Sequence, residues 1–343
     1  MTTELTRTYT MTDLADAADR AAAAAIFERY HEQKAENTRT AQARDLAVFA
    51  AYLAELPISA PTADELYAFP AAWTGVSWGI VAGMIAHMQR AGYAASSIAR
   101  TLATVKRYAR LAMAAGAIDA PAAAMIATVT APKGRAAKQV DEARRSAGVA
   151  TRRSTKRAAP AKLTPTQRKA LREQPDTQQG RRDALIIALL LDHGLRVSEL
   201  AALQVAGVDL AANRITFYRP KVDKEQTHEL TRHSRVALVA WMQQDAPTAG
   251  ALLRASRKDG SLTATGMTTT AINKRVAELG QRAGIAGRLS PHDLRHDWAT
   301  RAARHGTGAF SLRDAGGWVS LEMPSRYVSA ATVANEGVIL GDD

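Results

Sequence analysis

The chain has 343 residues, enough for about two domains of ~100–200 residues each, and its 47% hydrophobic content excludes a disordered polymer. Its net charge of +12 suits a polyanionic partner, although basic charge by itself is weak evidence for one. It has no cysteine, which excludes disulfide frameworks, thiolate metal sites and cysteine nucleophiles and fits a reducing compartment.

The first residues carry acids and no apolar core, so 1–15 read as a flexible tail and not as a secretory signal. Residues 16–130 read as a helical domain, and the abundance of alanine points to helices packed through small side chains. Asn37 is expected to cap a helix whose apolar positions Leu46, Phe49, Leu53 and Leu56 recur at helical spacing. The longest uncharged run, Leu66 to Gln89, is long enough to raise the membrane question. Pro70, Gly75, Ser77, Gly79 and Gly83 make it a loop entering a buried helix at about 76–90, and a soluble, cytoplasmic chain is expected. A third helix begins near Ser96, carries Ile98, Leu102, Val105, Ala109 and Met113 on one face, and stops at Gly116.

Residues 131–162 change character. Ten Lys/Arg face only Asp141 and Glu142 there, and few large apolar side chains are available for a core. The segment reads as a basic interdomain linker lying against phosphates. From Leu163 the pattern turns regular, with a helix opened by Thr164-Pro165 and another, Arg182–His193, filled with leucine and isoleucine. Arg214–Tyr218 alternates as a strand, with Thr227–Thr231 as partner and Pro220–Glu225 as the connecting turn. Helices are expected at about 233–244, 268–283, 292–304 and 309–316. The fold class is therefore mostly α, with a helical N-terminal domain and a mixed α/β domain (163–343) holding a small antiparallel sheet.

Three segments carry chemistry. In HGLRVSEL (193–200), Arg196 opens a helix and Glu199 lies on the same face; in isolation such a pair is usually a surface ion pair. In SPHDLRH (290–296), His292 and Arg295 are three apart on a helix started by Ser290-Pro291, joining a proton-handling imidazole to a phosphate-gripping guanidinium. His292 and His296 also have the spacing of paired zinc ligands, but Asp293 follows instead of glutamate and no third ligand is evident, so no metal is expected. In GGWVSLEMPSRYV (316–328), Tyr327 stands nine residues after Trp318. Each residue alone is more often structural than catalytic.

The order, wording and spacing of these segments resemble the tyrosine recombinase (phage integrase) family, and the GGW wording is nearest to its Cre-type members. ENTRTAQARDLAVFAAYLAE (36–55) similarly resembles the family's helical core-binding domain. The resemblance implies a site-specific recombinase that cleaves and rejoins duplex DNA through a 3′-phosphotyrosyl link, without metal, ATP or cofactor. It assigns Tyr327 as nucleophile, Arg196 and Arg295 as phosphate ligands, and His292 and Trp318 as further donors, with Glu199 in support. A lysine in a strand turn is also implied; Lys221 fits best, and Lys224 in the same turn stays open. DNA contacts are expected from Thr38, Arg39, Thr40, Ser96, Ser97 and Arg100, and from Thr268, Thr270, Asn273 and Lys274 on a helix for the major groove. The partners implied are duplex DNA and a homotetramer on two sites, with residues 331–343 passing to a neighbouring subunit. Two alternatives share these residues or this fold: a type IB topoisomerase, and a non-catalytic DNA-binding regulator.

Overall fold

The computed structural model describes residues 10–149, 160–245, 247–257 and 259–331, and divides into two compact units, Met1–Ser154 and Thr155–Asp343. Most of the expected N-terminal tail, residues 150–159 of the linker and nearly all of the C-terminal segment lie outside the described residues. Among the described residues, no helix is long and apolar enough to cross a membrane.

The first unit is all helix. Helix α1 (Met11–Ala24) is closed by a reciprocal capping box between Thr10 and Asp13, so 11–15, expected in the tail, are helical. Then come α2 (Ile26–Glu32), α3 (Glu36–Leu53), α4 (Ala63–Ala68), a 3-10 turn at Pro70–Trp73, α5 (Trp78–Arg90), α6 (Ala95–Ala114) and α7 (Ala120–Thr128). Leu46, Phe49, Trp73, Met84, Ile98, Val105 and Tyr108 form the heart of its core. Helix α3 starts from Ala35 without a side-chain cap, so Asn37 sits in the first turn instead of capping it. Residues 134–146, read from sequence as part of the linker, form helix α8 (Gly134–Ser146). It belongs to this unit: Val140 packs on the core, and the Asp141 carboxylate accepts the Ala95 N–H at 2.9 Å. The sequence hid this because α8 presents a narrow contact and a highly charged outer face.

Asp45, 1% exposed, joins α3 to α6. Its carboxylate accepts from Arg100 Nε at 3.0 Å and Nη2 at 2.9 Å, and from the Thr101 and Thr104 hydroxyls at 3.1 and 2.9 Å. A buried carboxylate is tolerated only with such a full set of donors.

The second unit is built around α10 (Gln178–His193), on which Leu185, Ile186, Ile187, Leu189, Leu190 and Leu191 are all fully buried. A helix apolar on every side must be central. Around it lie α9 (Pro165–Arg172), α11 (Val197–Ala201), α12 (Arg232–Gln244), α13 (Thr269–Arg282), α14 (Pro291–Arg304), α15 (Ala309–Gly316) and α16 (Glu322–Ser329). Strands β1 (Val208–Asp209), β2 (Arg214–Arg219) and β3 (Lys224–Glu229) form an antiparallel sheet in that order. The turn is shorter than expected and β3 begins earlier, because Asp223 takes a positive φ of 47° and allows Arg219 to pair with Lys224. Lys224 is therefore a strand residue, while Lys221 stays in the turn. A hairpin of β4 (Arg254–Ser256) and β5 (Leu262–Gly266) was too short to give a periodic signal. Helix α16 was masked by Pro324, which a first helical turn accommodates.

Two histidines of this unit, the buried His193 and the half-buried His228, have rings 5.5 Å apart, and His193 bonds the Ser234 hydroxyl at 2.9 Å. Burial depresses His193 to about 4, and burial with the neighbouring His193 depresses His228 to about 3.

Two expectations follow for stability. Asp45→Ala should lower the urea-unfolding free energy by about 2–4 kcal/mol, since two buried hydroxyls lose their acceptor; a loss below about 0.5 kcal/mol would show the network to be dispensable. For the histidines, the unfolded chain takes up protons below an ordinary value near 6.5 while the folded chain resists until about 4 or lower. Stability must then fall as pH drops from 6.5 towards 4, by on the order of 3 kcal/mol for His193. His228→Phe should make that slope shallower in urea titrations, and an unchanged slope would rule out a neutral His228 as its source.

Candidate active site

Helix α10 ends at Gly194, whose φ of +59° turns the chain sharply and whose missing Cβ leaves room for Trp298, 2.2 Å from where that carbon would lie. The turn delivers Arg196 to the start of the short helix α11. There the Glu199 carboxylate accepts the Arg196 backbone N–H at 2.8 Å and its Nη1 at 2.7 Å. Glu199 is 1% exposed, so this RxxE is an interior pair and not a surface one. The second guanidinium nitrogen of Arg196 donates to the Gly317 carbonyl at 2.7 Å.

Arg295 reaches the same turn from α14. It is buried, and donates from Nη1 to the Gly194 carbonyl at 2.5 Å and from Nη2 to the Gly316 carbonyl at 2.6 Å. Its guanidinium lies 4.3 Å from the centre of the Trp318 ring, a cation–π contact. Each arginine carries five N–H donors, more than these carbonyls and Glu199 use. Burial first, and then the charge of Arg196, push the Arg295 pKa down.

Tyr327, on α16, is 6% exposed and belongs to a small apolar cluster with Trp298, Ala299, Ala303 and Leu312. Its ring meets His296 edge to face at 4.9 Å between centroids, and Trp318 lies at 5.9 Å. Burial raises the phenol pKa while Arg295 pulls it down, so the hydroxyl keeps its proton at neutral pH and needs an acceptor to become a nucleophile.

The structure thus brings together Arg196, Glu199, Arg295, Trp318 and Tyr327. His292 lies exposed on the first turn of α14, and Lys221 is exposed in the 220–223 turn. Glu199, expected from sequence only in a supporting role, partners Arg196 and Arg219. Among the described residues, no three His, Asp or Glu side chains are grouped to hold a metal ion.

The expected DNA contacts lie on α3, on α6 and at the start of α13. Thr38, Arg39 and Thr40 are exposed near the start of α3, and Ser96 and Ser97 lie in the first turn of α6. Asp45 faces Arg100 to Thr104, while Arg39 lies near His31, which bonds Tyr108. Arg100 is tied to Asp45. On α13, Thr268 caps the helix, Asn273 donates to the Thr269 carbonyl at 2.7 Å, and Thr270 and Lys274 are exposed.

The profile of the phage integrase family matches residues 161–333, and that of the phage integrase N-terminal SAM-like domain matches 27–116. The chain belongs to the phage integrase family. Tyrosine recombinase XerD of Neisseria meningitidis serogroup B is 32% identical over 169 residues, 48% of this chain and 56% of the relative. The chain thus spans about half the length of the curated relatives it matches. A Tn1549 transposon integrase in complex with circular intermediate DNA shares the fold at a TM-score of 0.60 and 17% identity, covering 90% of this chain and 96% of that one. A lambda integrase tetramer bound to a Holliday junction does so at 0.57 and 13%, covering 93% and 84%.

Within this integrase-family site, sequence reasoning missed Arg219 and gave His296 no role beyond a metal alternative. Arg219 is fully buried, donates to the Ala315 and Gly316 carbonyls at 2.7 and 2.5 Å, and lies 3.5 Å from Glu199. The signal was present: Ile215, Phe217 and Arg219 share one face by strand alternation, and the first two are core residues. Among the described residues, Glu199 is the one acid paired with these guanidiniums. Glu199→Gln should therefore cost about 2–4 kcal/mol of stability in urea unfolding, because like charges lose their shared counter-ion. A change of less than about 0.5 kcal/mol would show that the carboxylate is not what holds the arginines in place.

Proposed function

We propose that this chain is a site-specific tyrosine recombinase that cleaves and rejoins duplex DNA in a tetramer on two sites. The observation that carries the reading is the convergence of Arg196, Arg295 and Trp318 on one turn beside the buried hydroxyl-bearing ring of Tyr327. Membership of the phage integrase family and the DNA-bound integrases that share its fold support it.

In this reading the Tyr327 oxygen attacks the scissile phosphorus while the P–O5′ bond breaks, leaving a 3′-phosphotyrosyl link and a free 5′-hydroxyl. The remaining N–H groups of Arg196 and Arg295 hold the non-bridging oxygens, where charge grows in the transition state. The site is suited to that task because three guanidiniums and one carboxylate leave it with excess positive charge in a buried setting. Trp318 supports the Arg295 guanidinium through its ring face. His292 is the candidate acceptor for the phenol proton, and Lys221 gives a proton to the leaving 5′-oxygen. The phosphotyrosine retains the energy of the broken bond, so religation needs no ATP. Thr270 and Lys274, exposed on α13, are the best placed of the expected groove contacts, with the α3 and α6 residues as contacts from the first unit. Residues 331–343 would dock on a neighbouring subunit.

The test uses a nicked duplex bearing a sequence selected from random DNA for binding to the chain. The wild-type protein should form a covalent DNA adduct that survives denaturation, and Tyr327→Phe should abolish it while binding DNA as before. Binding without an adduct would sink both enzymatic readings and leave a DNA-binding regulator. Products that need two copies of the site support a recombinase; relaxation of a plasmid lacking the site, by the monomer, would support a topoisomerase.

A further inference from the structure

We propose that Arg219 is a positioning residue for strand cleavage: it fixes the tip of the β2–β3 hairpin, and with it Lys221, against the turn that gathers Arg196, Arg295 and Trp318. The inference rests on the reading of Lys221 as the proton donor given above.

Four features of the structure lead to it. Arg219 is the last residue of β2, two residues before Lys221, so their Cα atoms lie within about 7 Å. The turn between them is internally closed, with the Val222 N–H bonded to the Arg219 carbonyl at 3.1 Å and the Tyr218 hydroxyl to Asp223 at 2.5 Å. Such a tip moves as a body, and its placement depends on what anchors its root. The anchor is the Arg219 guanidinium, which bonds the Ala315 and Gly316 carbonyls and stacks 4.9 Å from the Phe217 ring centre. The fit is close, since a Cβ on Gly317 would lie 2.4 Å from Arg219 Nη1.

A purely structural account is weak for this residue. Arg196 already pairs Glu199 at 2.7 Å, against 3.5 Å for Arg219. The sheet has a neutral tie to the same helix end, from Gln226 Nε2 to the Asp314 carbonyl at 2.7 Å. A third buried guanidinium beside two others is electrostatically costly, and its Nε finds no hydrogen-bond partner. What it adds is a rigid, two-pronged hold on the hairpin tip.

The test separates the leaving-group step from the rest of the reaction. In the full chain, adduct formation is timed on the nicked duplex described above and on the same duplex with sulfur replacing the 5′-bridging oxygen. A thiolate leaves without being protonated, so the second substrate bypasses the acid. Arg219→Met should slow the ordinary substrate by about 10- to 100-fold and the sulfur-containing one by less than about 3-fold, the pattern expected also of Lys221→Ala. The ratio is taken within one preparation, so loss of folded protein cancels. Arg219→Lys, which keeps the charge with a single ammonium, should show the same selectivity in weaker form. Equal slowing on both substrates, or none on either, overturns the proposal and leaves Arg219 a structural residue. If Lys221→Ala lacks the selectivity, the acid is another group and the inference falls with it. If the wild-type chain forms no adduct on either substrate, the recombinase reading itself fails.

Discussion

The end of one short helix organises the second unit. Helix α15 stops at Gly317 in a left-handed conformation, and the Trp318 N–H returns to the Arg313 carbonyl, leaving the carbonyls of Ala315, Gly316 and Gly317 pointing outward. Arg219, Arg295 and Arg196 arrive from a strand, a helix and a helix start to satisfy them. A helix C-terminus is the negative end of its dipole, so cations are the natural partners. Three distant parts of the chain are thereby fixed to one turn, and Trp318 is carried out of that turn beneath Arg295.

This arrangement explains why the site holds its charge. Guanidiniums buried side by side repel, and burial depresses both Arg219 and Arg295. Glu199 offsets one charge, the carbonyl dipoles and the Trp318 face offset more, and a surplus of positive potential remains. An anion placed there would complete the site instead of competing with it, because each guanidinium still has donors to give. Tyr327 approaches from the apolar side, held by Trp298, His296 and Trp318, where burial raises the pKa of its hydroxyl.

Much of the fold was legible in the sequence. The apolar run of α10, the helix signals at Pro165, Ser290-Pro291 and Gly116, and the alternation of β2 come from local periodicity and capping, which act over a few residues. The failures were also local in cause. Helix α8 was hidden by its charge, α16 by Pro324, and the β4–β5 hairpin by its length. Asn37 and the late start assigned to β3 show that element boundaries depend on the packed context.

For the site, the sequence determined which chemical groups are present and in what order: Arg196, Glu199, His292, Arg295, Trp318 and Tyr327 can be named from short segments whose wording is shared with a family. It did not determine that Glu199 is an interior counter-ion, that His296 touches the tyrosine, or that Arg100 pairs with Asp45. Nor did it single out Arg219, although strand parity placed it on the buried face. Those facts were decided by tertiary structure. Residues 196, 219, 295 and 316 lie far apart along the chain, and only burial against a common helix end gives their charges and carbonyls an interaction strong enough to matter.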